Sequence, residues 1–330
     1  MAKKILVTGG AGYIGSHAVK ALCDAGYDVV VLDNLSKGHG EALDTRAAFV
    51  HMDLQDLEDL RELFIEEKFD AVMHFAGSIE VGLSMMQPDL FLQNNVMNGQ
   101  NLLEAMRGAG CKNIIFSSTA AVYGDPEEVP IPETVRLEPT NYYGVTKLLF
   151  EHLLQKYDEF YGLRHIALRY FNAAGADLSG AMGEDHDPET HLIPRVLGAV
   201  AGTMELKVFG TDYDTKDGTC IRDYIHVADL VDAHLLALQY LFDTQKSDVF
   251  NLGNGSGFSV KEVIQAAEKV TGQTVPYEEA ERREGDPPKL VADSSKAKKI
   301  LGWNPRRDNL EDILSSAWKW HSNHPQGYES

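Results

Sequence analysis

Cysteine is nearly missing from this chain: Cys23, Cys111 and Cys220 are scattered and include no C-x-x-C pair. That excludes a disulfide framework and offers no cysteine-based zinc site, so no metal is expected. Positive charge is also short, with 30 Lys and Arg against 50 Asp and Glu and a net charge of −20. Such an excess excludes sequence-independent binding to DNA, RNA or anionic membrane. Small anionic ligands remain open, because helix N-termini and a few arginines can hold them. No apolar run approaches the ~18–20 residues of a membrane helix. No signal-peptide stretch follows Met1-Ala2-Lys3-Lys4, and with the cysteine usage this predicts a cytoplasmic protein. Internal repeats and low-complexity segments are lacking as well. What is there is 44% hydrophobic and 24% charged residues, enough to bury a full core and exclude disorder as the main state. At roughly 150 residues per domain, the length suggests about two domains.

Continuous apolar, β-branched runs alternate with helical periodicity through the first half. Strands are expected at 5–8, 29–32, 48–52, 71–75, 113–117 and 165–170. Helices are expected at 13–25, 57–67, 95–109 and 143–160. This order predicts an α/β fold, a doubly wound parallel sheet of Rossmann type with both faces covered. After Ala176 the pattern loosens, then returns as a helix at 227–242 and a strand at 249–252. Residues 1–176 with 222–256 are expected to form the nucleotide-binding domain. Residues 177–221 with 257–330 would form a smaller α/β substrate domain. The 212–218 and 278–288 stretches read equally as functional loops or surface turns.

Between the first strand and first helix lies Gly9-x-x-Gly12-x-x-Gly15. Glycines at this spacing allow a tight turn and let backbone N–H groups approach a pyrophosphate. Asp33 ends the second strand, where a carboxylate can bind adenosine ribose hydroxyls and would repel a 2′-phosphate. NAD is therefore preferred over NADP, with Lys37 nearby as the one dissenting charge. Tyr143 and Lys147 stand at i and i+4 on one helix face, which Tyr142 does not share. A lysine beside a phenol favours the phenolate, a plausible base near neutral pH. Ser117-Ser118-Thr119 follows the fifth strand at the carboxyl edge where such sheets bind ligands. A hydroxyl, a tyrosine base and a lysine together suit hydride transfer at an alcohol carbon.

The glycine turn, His74-Phe75-Ala76-Gly77, the segment from Phe116-Ser117-Ser118-Thr119 to Tyr123-Gly124, and Tyr143-x-x-x-Lys147 resemble the extended short-chain dehydrogenase/reductase family. Arg169-Tyr170-Phe171-Asn172, the 218–227 segment, Arg282-Arg283-Glu284-Gly285-Asp286 and His324-Pro325-Gln326-Gly327-Tyr328 resemble its UDP-glucose 4-epimerase branch. The resemblance runs from Lys4 to Tyr328. It implies a catalytic set of Tyr143 as base, Lys147 as the residue tuning it, and Thr119 on the sugar 4-hydroxyl. For NAD it implies Gly9, Gly12, Tyr13, Ile14, Gly15, Asp33, Asn34, Asp53, Leu54, Phe75, Ala76, Gly77, Asn95, Ser117, Tyr143, Lys147 and Tyr170. For a UDP-sugar substrate it implies Thr119, Tyr143, Asn172, His191, Leu192, Val208, Phe209, Arg222, Arg283, Asp286 and Leu290. It further implies a homodimer packed through the 95–109 and 143–160 helices, whose apolar faces equally suit a core.

Three departures accompany the resemblance. Ile79 stands where many epimerases have a lysine, and His191 where asparagine is common. Leu290 occupies a position that varies between a large aromatic and a smaller residue beside the sugar. A 4,6-dehydratase on the same fold would carry an Asp-Glu pair after the hydroxyl residue; here Ala120 and Ala121 follow Thr119. A non-catalytic NAD-binding regulator would be expected to lose the tyrosine–lysine pair, which this chain keeps.

Overall fold

The structure is a computed structural model and describes residues 2–282 and 287–328. Its first half runs β1 (Lys4–Thr8), α1 (Tyr13–Asp24), β2 (Asp28–Asp33), β3 (Ala48–His51), α2 (Leu57–Glu67), β4 (Ala71–His74), α3 (Val81–Met86), α4 (Pro88–Leu92), α5 (Asn98–Ala109), β5 (Asn113–Ser117), α6 (Tyr142–Tyr161) and β6 (Arg164–Tyr170). The second half runs β7 (Asn172–Ala174), α7 (Leu192–Val200), β8 (Lys207–Phe209), β9 (Ile221–Arg222), β10 (Tyr224–His226), α8 (Val227–Thr244), β11 (Asp248–Leu252), β12 (Phe258–Ser259), α9 (Val260–Thr271), β13 (Glu278–Ala280), β14 (Lys289–Leu290), α10 (Ser295–Ile300) and α11 (Leu310–Asn323).

Seven parallel strands form the main sheet in the order β11-β6-β5-β4-β1-β2-β3. Side chains alternate across a strand, so a continuously apolar strand supplies two cores. Ile5, Val7, Val29, Val31, Met73 and Ile115 pack on α1 and α8. Leu6, Val30, Leu32, Val72, Ile114 and Phe116 pack on α2, α5 and α6. The strand order reverses between β1 and β4, which opens a crevice at their carboxyl ends. A separate core joins α7, α9 and α11 through Ile193, Val196, Val263, Ile264, Ile313 and Leu314.

One expected helix differs in a way that matters. The 95–109 stretch begins earlier, as a π-helical turn at Gln93–Met97, and becomes α-helical only from Asn98. The wider turn re-aims side chains locally, and Asn95 sits inside it, buried. Among the described residues, no helix is long and apolar enough to cross a membrane.

Candidate active site

The cofactor cradle begins at the β1–α1 turn. An ideal Cβ on Gly15 would lie 2.0 Å from the Gly9 carbonyl oxygen, a backbone atom, so only glycine lets the helix start this close to the turn. At Gly12 a Cβ would meet nothing nearer than the Gly9 oxygen at 3.4 Å; it would project into the open face of the turn. The helix ladder starts with Ser16 N–H donating to the Gly12 carbonyl at 2.9 Å. The N–H groups of Tyr13, Ile14 and Gly15 therefore stand ahead of it, the arrangement that holds a pyrophosphate. Asp33 accepts from Ala11 N–H and Leu35 N–H, both at 2.9 Å, and so ties the end of β2 to the glycine turn. Asn34 donates to Asp53 at 2.5 Å. Leu54 lies in the α2/α5 core, with its carbonyl accepting from Asn101. Lys37 bonds the Asp187 carbonyl at 2.7 Å and stands 3.4 Å from Glu80, so its ammonium has local partners. These donors fit an NAD-type dinucleotide. Asp33→Ala should release the glycine turn and weaken NAD retention, measured as cofactor per chain after desalting; unchanged occupancy would sink that role.

The reacting groups meet at the carboxyl ends of β4 and β5. Asn141 caps α6 by accepting from Gly144 N–H at 2.8 Å. A Cβ on Gly144 would come within 2.7 Å of the Ala121 oxygen, so glycine brings the helix start against the segment after β5. That contact brings Tyr143 beside Thr119, whose hydroxyl favours the ionised phenol. Thr119 in turn accepts from Ala121 N–H at 3.1 Å and caps the short Ala120–Tyr123 helix. One turn along α6, buried Lys147 donates to the Ser117 carbonyl at 3.1 Å, with its ammonium 5.9 Å from the Tyr143 ring centre. Ser117 Oγ pairs with the Tyr170 hydroxyl.

Burial pushes the Tyr143 phenol up to about 12, against the pull of Thr119. It pulls Lys147 down to about 8. Each group alone is driven towards neutrality, and the remedy is the other. An ammonium this near the ring favours the phenolate, and the phenolate favours the ammonium. His74 cannot compete as a base: burial, then the nearby Lys147 charge, hold it down at about 3.

Asn95 is brought to the same place and its amide bonds are internal. Its oxygen accepts from Ser78 N–H at 2.7 Å, and its nitrogen donates to the Ser78 carbonyl and to Thr146, each at 3.0 Å. It pins the loop after β4, where Gly77 lies against both Asn95 and Lys147, to the helix carrying the base. Phe75 leans on His234 at 4.9 Å, and the N–H groups of Phe75 and Ala76 both donate to the Thr8 carbonyl.

On the substrate side, Asp223 gathers residues far apart in sequence. Its carbonyl accepts from the Asn172 amide at 2.9 Å, and its N–H donates to the Leu290 carbonyl at 3.0 Å. Leu290 pairs in register with Arg222, whose guanidinium bonds the Pro287 carbonyl at 2.9 Å. Leu290 packs on Ala120, Val122, Tyr123 and Ile131, beside the reacting segment, not in the α7/α9/α11 core. Val208 is buried in that core, so of the β8 pair Phe209 takes the opposite face. His191 caps α7 and Leu192 opens it. Arg283 and Asp286 lie outside the described residues.

Sequence reasoning passed over several residues that build this site. Ser84 accepts from Tyr143 N–H at 3.0 Å. Ser118 donates to Glu151 at 2.5 Å, Glu151 pairs with Arg169, and Arg169 donates to the Tyr123 hydroxyl at 2.9 Å. All of Ser118, Glu151, Arg169 and Tyr123 are buried. Glu151 sits at i+4 from Lys147 on the same helix face, the one local signal that pointed to it. The segment before α7 adds Glu184, whose carboxylate faces His186 and His191. Burial disfavours their charges, but the mutual attraction wins; it holds the carboxyl low and the imidazoles high.

Residues 5–253 match the model of the NAD dependent epimerase/dehydratase family. The chain is similar to a UDP-glucose 4-epimerase of Halalkalibacterium halodurans, 52% identical over 327 residues, covering 99% of this chain and 98% of that protein. Among solved structures, it is similar to a UDP-glucose 4-epimerase at TM-score 0.97 and 51% identity, covering 99% of this chain and 100% of the other. It is also similar to the Brucella ovis UDP-glucose 4-epimerase solved in complex with NAD, at TM-score 0.94 and 48% identity, covering 96% and 98%.

Proposed function

The chain belongs to the NAD dependent epimerase/dehydratase family, and from that membership and the site geometry we infer that it interconverts UDP-glucose and UDP-galactose as an NAD-dependent isomerase. One observation carries the choice of reaction. Thr119, beside the Tyr143 phenol, is followed by Ala120 and Ala121, which cannot supply the proton transfers of a dehydratase. Tyr143, as phenolate, takes the proton of the sugar 4-hydroxyl, and Thr119 orients that hydroxyl. Lys147 keeps the phenolate charged and is placed to hold the nicotinamide ribose. NAD, held by the glycine turn and Asp33, would supply a hydride acceptor and donor for C4, which allows passage through a 4-keto sugar. We propose Asn172 and Arg222 for the diphosphate and ribose of the UDP group, and Phe209 for the uracil. An anchored diphosphate with a loosely held hexose lets the keto sugar turn between the two transfers.

Incubation with UDP-galactose, followed by sugar analysis, tests this: UDP-glucose should form with no net change in NAD. A 4-keto-6-deoxy product would replace the epimerase reading with the dehydratase one.

The division of labour we propose puts NAD on residues 1–176 with 222–256, and the UDP-sugar on 177–221 with 257–330. The protein is placed in the cytoplasm, in keeping with its three free cysteines. A homodimer is proposed through the 95–109 and 143–160 helices, where Met97, just ahead of α5, and Leu149 on α6 are exposed apolar residues. Sedimentation equilibrium at the mass of one chain would exclude it.

Leu290 sets the breadth of this reading. Half-buried beside the Ala120–Tyr123 segment, it lacks a ring and leaves room beside C2 of the hexose. Wild type is expected to epimerise UDP-N-acetylglucosamine as well as UDP-glucose. Leu290→Tyr should remove the N-acetylated activity and spare UDP-galactose turnover. Equal loss of both, or no wild-type activity on the N-acetylated sugar, would discard the assignment.

A further inference from the structure

Among the described residues, one group of His, Glu, Asp and Cys side chains draws its donor atoms together: Glu184, His186, Glu189 and His191, all within 4.8 Å of one another. They come from a single turn of chain, and both imidazoles present the same nitrogen. His186 Nδ1 lies 3.4 Å from Glu184 Oε1 and 3.7 Å from Glu189 Oε2. His191 Nδ1 faces Glu184 Oε1. The two rings stand 5.3 Å apart at 81°.

We propose that Glu184, His186, Glu189 and His191 bind a divalent transition metal of the zinc type, with two nitrogen and two oxygen donors. Three physical features carry this. Four donors at about 2.1 Å from a tetrahedral ion are separated by roughly 3.4 Å, close to the spacing His186 already keeps from both carboxylates; the direct His191–Glu184 contact has to open, and the other donor pairs stand within 4.8 Å. Both carboxylates are almost fully buried, each side chain 4% exposed, whereas the His191 side chain is 41% exposed and leaves an entry edge. Charge balance permits the exchange: the two imidazoles now face the two buried carboxylates, and one divalent ion would supply the same two positive charges with both imidazoles neutral, which is the state that coordinates.

The surroundings hold the donors in place. The Glu184 carbonyl accepts from Trp320 Nε1 at 3.2 Å on α11. Tyr13, at the start of α1, sets its ring edge-on to His186 at 6.4 Å. Glu189 Oε1 accepts from His191 N–H at 2.7 Å, fixing the entry to α7. A metal here would clamp the segment before α7 between the cofactor turn and α11. The His191 nitrogen turned to the cluster is Nδ1, so Nε2 is the atom left for substrate. The set lies outside the reacting groups, and this proposal stands whether or not the substrate assignment does.

The test uses the NAD-loaded enzyme, stripped with EDTA, desalted and titrated with Zn2+ against a chromophoric chelator. Wild type should take up one equivalent per chain, and Co2+ should give the visible absorption of a four-coordinate ion. Mg2+, which prefers an all-oxygen octahedral shell, should not compete. His186→Ala and Glu189→Gln should each weaken Zn2+ binding by about 100-fold or more, since even outer-shell changes at metal sites cost about 10–100-fold. Glu189→Gln preserves shape and decides the matter if His186→Ala fails to fold. Absence of stoichiometric Zn2+ binding by wild type, or wild-type affinity in Glu189→Gln, overturns the proposal.

Discussion

Replacing Tyr143 by phenylalanine should leave a folded, NAD-loaded protein whose turnover falls by several orders of magnitude; a general base alone accounts for about 10²–10⁴-fold. The substitution removes one hydroxyl, which lies beside Thr119, and leaves the ring where it is. Near-wild-type turnover in such a protein would move the proton transfer to another group. The pH profile supplies a second check. Tyr143 must lose its proton to act, and burial, only partly offset by Thr119, places that loss at about 12. The Lys147 charge brings it down. Activity should therefore rise with pH as the phenol ionises. Lys147→Ala removes the charge, so this acid limb should move to higher pH. An unmoved acid limb would show that Lys147 does not tune the phenol.

The largest stability effect is expected at a pair that touches no ligand. Glu151 and Arg169 form a two-point ion pair, their side chains 2% and 4% exposed. Removing one partner of a buried pair leaves the other charged and unpaired, at a cost of roughly 3–5 kcal/mol. Glu151→Ala should lose about that much in urea denaturation, a large fraction of a typical folding free energy of about 5–15 kcal/mol. Arg169→Met in the same chain should restore part of it by removing the orphaned guanidinium. A loss below about 1 kcal/mol for Glu151→Ala would mean that the pair does not hold as described. Because Glu151 also accepts from Ser118, next to Thr119, the milder Glu151→Gln should lower kcat with little change in KM. Equal changes in both constants would make the pair structural only.

Much of the site was legible because its parts are close in sequence. The glycine turn lies within seven residues between a strand and a helix. Tyr143 and Lys147 share a helix face by spacing alone. The parallel sheet follows from apolar runs alternating with amphipathic ones, and β1 to β6 appear within one or two residues of the positions read from those runs. Local geometry determines such features, so the chain displays them before it folds.

Other features were decided by tertiary structure. Asn95 opens an expected helix and by resemblance faces NAD; the π-turn and the bond to Thr146, 51 residues on, that direct its amide belong to the tertiary structure. Asn172, Arg222 and Leu290 become neighbours only because Asp223 stitches three strands together. Glu151 and Arg169 lie 18 residues apart on a helix and a strand, and only their burial against each other makes them consequential. His186 and its two glutamates lie where the periodic pattern loosens after Ala176, and contacts with Tyr13 and Trp320 hold that segment in place. Spacing along the chain carries information about one turn of helix or one strand. A site assembled across layers depends on the direction of each side chain, and packing of the whole molecule sets that direction.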